Sequence, residues 1–141
     1  MSEERVYSED EIKSYLSDKL PHWFYENGWI RRKYKTSGWK GTLMVINTIG
    51  HLAEAAWHHP DISASYAFVI VKLQNHAAKG ITQKDFLLAQ EIEKVINWQP
   101  GKEGVLEGTP DDARFKYING LLWTSKLRYW RFHGCRCICI I

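Results

Sequence analysis

The chain has 141 residues, 25% charged and 45% hydrophobic, enough for one domain with a real core. Its net charge of +3 says little about partners, because all 16 acidic and 15 of the 19 basic residues lie within 1–118, and Lys126, Arg128, Arg131 and Arg136 follow in the tail. A basic balance confined to a tail gives no reason to expect direct nucleic-acid binding, and no apolar run approaches the roughly 18–20 residues that span a membrane.

The beginning, "MSEERVYSEDEIKSYL", is acidic and has no apolar signal core, so a cytoplasmic location is the expectation. All three cysteines sit in "CRCIC" near the end. The folded part then needs no disulfide, which suits a reducing compartment.

Residues 8–20 predict a short helix: Ser8 is placed to cap it with Glu11, and Ile12, Leu16 and Leu20 recur at helical spacing. Pro21 ends it. Asn27-Gly28 between two aromatic-rich runs predicts a two-residue hairpin with strands at about 22–26 and 29–35, because both turn residues need positive φ. From Gly38 to about His58 the spacing of Leu43, Ile46, Ile49, Ala53 and Ala56 predicts a second helix. The stretch 61–66 supplies a short partner strand for "SYAFVIVKLQN", whose Val69, Val71 and Leu73 share one face. Thr82 caps a last helix carrying Phe86, Ala89, Ile92, Val95 and Ile96 on one side, and Pro100 stops it.

The order is α-β-β-α-β-β-α. It predicts an α+β fold, a four-stranded antiparallel sheet with helices packed on one face. Residues 1–100 form the expected domain and 101–141 an extension of unknown role. The part from Asn119 on, aromatic, basic and cysteine-bearing, reads as an appended helix, a partner segment or residues foreign to the natural product.

Chemistry concentrates in "EAAWHHPDIS". Glu54 and His58 are four apart, so a helix continuing that far puts them on one face, where the carboxylate can fix the imidazole tautomer. Pro60 disfavours helical backbone at His59, which then points beyond the helix end. His76 ends the apolar strand, although its parity is opposite to that of Val69, Val71 and Leu73, and Asp85 lies on the first turn of the next helix. Three element ends can thus converge on one pocket. The plainer reading is that two histidines at a helix C-terminus complement its dipole.

Three His plus Glu54 make a zinc set by ligand type, but adjacent histidines reach one ion only with backbone strain, and no HExxH spacing occurs. The tail's "HGCRCIC" spreads its donors along an extended chain. No metal site is expected. Phosphate-cradling glycine loops, GxSxG elbows and CxxC pairs are missing from the sequence. Trp23, Trp29, Trp39 and Trp57 read as core or interface residues, with Trp23 also a possible wall for a flat ligand, and "RRKYK" reads as a solvated strand face.

Taken together, "KLPHW", "EAAWHHPDISASY" and "NHAAKGITQKDFLLAQEIE" resemble the pterin-4a-carbinolamine dehydratase family over roughly residues 8–98. The resemblance implies dehydration of 4a-hydroxytetrahydropterin to quinonoid dihydropterin, a step of pterin recycling that needs no metal or organic cofactor. It implies that His58, His59 and His76 are the acid–base and binding histidines, that Glu54 and Asp85 orient them, and that Pro60 and Trp23 shape the pocket. It implies a homodimer or homotetramer whose ligand is a small pterin. Asn75 departs from the usual Thr, and of the usual aromatics around 34–42 only Tyr34 and Trp39 are kept. The same fold also serves non-catalytic roles, as a dimerisation cofactor or a Rubisco assembly factor, so a protein partner is the competing expectation. The three retained histidines favour the enzyme.

Overall fold

The computed structural model describes residues 4–102 and 104–118. Ser8 opens helix α1 (Glu9–Lys19) with the reciprocal cap its sequence predicts: the Ser8 hydroxyl accepts from the Glu11 backbone, and the Glu11 carboxylate accepts from the Ser8 N–H at 2.9 Å. Ile12 and Leu16 are its buried face. Strands β1 (Phe24–Glu26) and β2 (Trp29–Lys35) form the expected hairpin, and Asn27 and Gly28 both take positive φ, 51° and 82°. Helix α2 (Trp39–Ala56), strands β3 (Asp61–Ser65) and β4 (Phe68–Leu73) and helix α3 (Gln83–Ile96) complete the order α-β-β-α-β-β-α. A 3-10 turn, Pro100–Lys102, follows.

All strand neighbours are antiparallel in the order β1-β2-β4-β3. Alternation sends Ile30, Arg32 and Tyr34 of β2 and Val69, Val71 and Leu73 of β4 to the buried face. Ile49 and Ala53 of α2 and Phe86, Ala89 and Ile92 of α3 close the core over that face. Tyr15 stacks on Phe86 with centroids 4.0 Å apart, and Tyr7 meets the same ring edge-on at 5.1 Å. The segment before α1 is thereby locked to α3.

Two charged or polar groups sit in this apolar layer and hold it in register. Arg32 and Glu93 form a nearly buried ion pair, and Tyr34 and the Trp23 indole each donate to Glu93 Oε1 at 3.0 Å. Removing Arg32 or Glu93 alone leaves the other charge unpaired, at a cost of about 3–5 kcal/mol. Thr42 is the second case: its hydroxyl lies 2.8 Å from that of Thr36 and donates to the Tyr66 carbonyl at 3.0 Å.

Thr42 also explains a difference from the sequence reading. The inner face of α2 is Thr42, Val45, Ile49 and Ala53, one step round from the stripe expected, and Leu43 and Ala56 lie outside. A buried threonine satisfied by backbone carbonyls carries no apolar signal, so periodicity passes over it. On α3, Val95 is likewise exposed while Ile96 is buried. Trp39 and Trp57 are exposed, and only Trp23 of the four tryptophans belongs to the core.

Part of the extension returns to the domain. Tyr117 accepts from the Ser37 N–H at 3.2 Å, and Ile118 bridges Thr36 beyond the end of β2. A Cβ at Gly41 would run into the Tyr117 carbonyl, so the start of α2 is shaped to receive this segment. The aromatic, basic tail from residue 119 lies outside the described residues. Among the described residues no helix is long and apolar enough to cross a membrane.

Candidate functional site

Helix α2 stops at Ala56 because Trp57 adopts left-handed backbone angles, φ 51° and ψ 41°. The His58 N–H then closes back on the Ala53 carbonyl at 3.1 Å, and the chain reverses. This early turn overturns the pairing expected from an unbroken helix. His58 leaves the helix and reaches α3, where its Nε2 lies 2.7 Å from Asp85 Oδ1. Glu54 instead meets His59, Oε2 to Nε2 at 2.9 Å.

The two imidazole–carboxylate pairs differ in surroundings. Side-chain exposure is 12% for His58 and 0% for Asp85, against 55% for His59 and 68% for Glu54. Asp85 has no freedom to turn, because its other oxygen accepts from the Thr82 N–H at 2.8 Å and faces the Thr82 hydroxyl at 3.3 Å. The carboxylate that caps α3 thus also grips His58. A carboxylate only accepts, so the facing Nε2 carries the proton and Nδ1 is the nitrogen left to exchange one. Pro60, half-buried, turns the chain from His59 into β3.

His76 begins the turn after β4, and its ring meets Trp29 edge-on with centroids 5.5 Å apart. It is exposed, on the sheet face away from the helices, as its parity requires. Its anchorage comes from Asn75. The Asn75 backbone bridges Gly80, its Oδ1 accepts from the Ala78 N–H at 3.1 Å, and its Nδ2 donates to the Thr82 hydroxyl at 3.4 Å. Hydrogen bonds therefore run from the residue before His76 through Thr82 and Asp85 to His58. The structure joins His58 to Asp85 and His59 to Glu54 directly. It links His76 to them only through this scaffold.

Glu4 joins the same scaffold and was not anticipated. Its carboxylate bonds both Asn75 and Lys84, the residues immediately before His76 and Asp85. Lys84 holds the Glu4 carboxyl below the usual range, and Asn75 and the nearby His58 act in the same direction. No local pattern announces a partner 71 residues away. Trp29 and Trp57, core or interface residues by sequence, each meet a histidine: Trp29 lies against His76 and Trp57 meets His59 at 5.4 Å.

Trp23 is not joined to these histidines by any contact among the described residues. It is buried in the core and its indole N–H is committed to Glu93, eight residues beyond Asp85, or about 12 Å along a helix.

The profile of the family described as "Pterin 4 alpha carbinolamine dehydratase" matches residues 5–95. A protein of Aquifex aeolicus carrying that family's name is 42% identical over 92 residues, covering 65% of this chain and 92% of its own. A namesake from Chloroflexus aurantiacus is 38% identical over 89 residues, covering 63% and 95%. Among solved structures, a Brucella melitensis protein titled "transcriptional coactivator/pterin dehydratase" superposes with a TM-score of 0.61 at 22% identity, over 66% of this chain and all of that one. At that identity the likeness concerns the fold.

Proposed function

The chain belongs to the pterin 4 alpha carbinolamine dehydratase family, and we propose that it dehydrates 4a-hydroxytetrahydropterin to quinonoid dihydropterin by histidine acid–base chemistry. The observation that carries this reading is the His58–Asp85 pair, an imidazole held at 2.7 Å by a fully buried carboxylate. Its place in the fold, where α2, α3 and the turn after β4 meet, brings His59 and His76 to the same end of the sheet.

The reaction asks for two proton transfers. One proton goes to the departing hydroxyl at C4a and one leaves the adjacent ring nitrogen. The nitrogen electron pair forms the C=N bond as the C–O bond breaks, and water leaves. Imidazoles titrate near neutral pH and suit both transfers, each typically worth ~10²–10⁴-fold. His58, His59 and His76 are the groups assigned to these tasks and to binding. Asp85 and Glu54 orient the first two, and Pro60 shapes the approach.

The same reading includes association of copies. Exposed Trp39, Leu43 and Met44 on α2, together with the edge strand β3, offer apolar surface and unpaired backbone groups for it.

The test is stopped-flow turnover of freshly generated 4a-hydroxytetrahydropterin, following quinonoid product in the ultraviolet. Wild type accelerates the reaction, and His58→Ala and His76→Ala each lower the rate at least tenfold with unchanged circular dichroism. Folded wild-type protein that gives no acceleration refutes the reading.

A further inference from the structure

The reaction above uses no property of Trp57, yet Trp57 is the most conspicuous residue at its edge. It is 77% exposed, so its large apolar surface gains nothing from burial. Its φ of 51° is a conformation that Gly or Asn takes readily and a bulky side chain takes only at a cost. The turn that frees His58 from the helix needs a left-handed residue, and Asn would make it better. A strained residue whose side chain does nothing for stability invites a role for that side chain.

The position of the ring narrows that role. The indole meets the His59 imidazole at 5.4 Å and an interplanar angle of 77° and leaves most of its own surface to solvent. Its exposed surface is flat, apolar and next to an imidazole assigned to the chemistry. We infer that Trp57 is the wall on which the fused pterin ring stacks, holding the substrate's plane against the His58–His59 pair. The inference rests on the dehydratase reading for the identity of the ligand. It gives this chain an exposed aromatic wall, whereas Trp23 is buried and bonded to Glu93. Stacking a flat heterocycle on an aromatic side chain is worth about 5- to 150-fold in affinity when judged by truncation.

Full-length Trp57→Asn and Trp57→Phe test it. Asn keeps the left-handed turn and removes the ring, and Phe keeps a ring. The probe for binding is 7,8-dihydropterin, which lacks the 4a-hydroxyl and does not react, titrated by calorimetry. KM and kcat come from stopped flow, and molecular mass from sedimentation. Trp57→Asn is expected to raise the probe's Kd and KM by about tenfold, with a smaller change in kcat, an undiminished Tm and unchanged mass. Trp57→Phe is expected to recover most of the loss. Unchanged Kd and KM in Trp57→Asn overturn the inference, as does a change of mass, which would make the ring a contact between copies. Wild type that binds the probe through Trp57 but fails to turn over substrate refutes the dehydratase reading and leaves the wall standing. Wild type that turns over, with Trp57→Asn equal to it, does the reverse.

Discussion

His58 Nε2 lies 2.7 Å from Asp85 Oδ1, while Asp85 Oδ2 accepts from the Thr82 backbone at 2.8 Å, so one buried carboxylate serves both the start of α3 and the proposed catalytic imidazole. The two duties separate by substitution. Asp85→Asn keeps the shape but loses the charge and one acceptor, and turnover is expected to fall at least tenfold. Thr82→Ala keeps the backbone bond to Asp85 and removes the hydroxyl between Asn75 and Asp85, with an expected loss of about 1 kcal/mol and a smaller fall in rate than Asp85→Asn gives. Stopped-flow rates and thermal melts on both variants check this. Equal rate losses in the two would tie the effect to the helix start.

Glu54 and His59 have the same chemistry in a different medium. Both side chains are more than half exposed, where ion pairs contribute about 0–1 kcal/mol. Glu54→Gln is therefore expected to lower turnover by less than about threefold, far less than Asp85→Asn does. A tenfold loss would mean that bound substrate buries Glu54.

Most of the fold was legible in the sequence because its signals are local. Ser8 and Glu11 mark a helix start, Asn27-Gly28 a hairpin, and Pro21 and Pro100 two ends. The site was legible as a set of residues, because the His-His-Pro stretch and Asp85 sit at element ends. Its pairings were not. They turn on the backbone of Trp57, whose left-handed conformation sends His58 to Asp85 and leaves Glu54 to His59. Glu4 was invisible for a different reason, since its contacts exist only once the chain has folded. The bond between Trp23 and Glu93 was not legible either, because an indole looks alike in sequence whether it faces a ligand or a carboxylate in the core.

Glu4 clamps Asn75 and Lys84, and so bears on the spacing between His76 and Asp85. Glu4→Ala is expected to lower kcat/KM by roughly three- to tenfold, in line with a coupling of ~1 kcal/mol, with a small change in Tm. Glu4→Asp should recover part of the loss. A kcat/KM identical to wild type would show that Glu4 plays no part in setting the site.

Trp23 and Glu93 predict a stability effect with no kinetic one. Trp23→Phe retains the ring and loses the N–H bond to a buried carboxylate, for an expected loss of about 1.5–3 kcal/mol in urea denaturation. KM for the pterin should not move. A several-fold rise in KM would return Trp23 to the substrate pocket.

Tyr34 gives the fold a defined alkaline limit. Burial pushes its phenol well above the ordinary value, and the facing Glu93 charge adds to this. Tyrosine in the unfolded chain ionises near pH 10. Above that pH the unfolded state releases a proton that the folded state still holds, so stability falls as pH rises. The contribution is full below about pH 10 and is lost on the way up to the folded pKa. Tyr34→Phe removes this titration at the cost of the hydroxyl's bond to Glu93, about 1–2 kcal/mol at neutral pH. Urea midpoints at intervals from pH 8 to 11.5 should show wild type falling more steeply than Tyr34→Phe beyond pH 10. Parallel curves would mean that Tyr34 ionises in the folded protein as readily as in the unfolded chain.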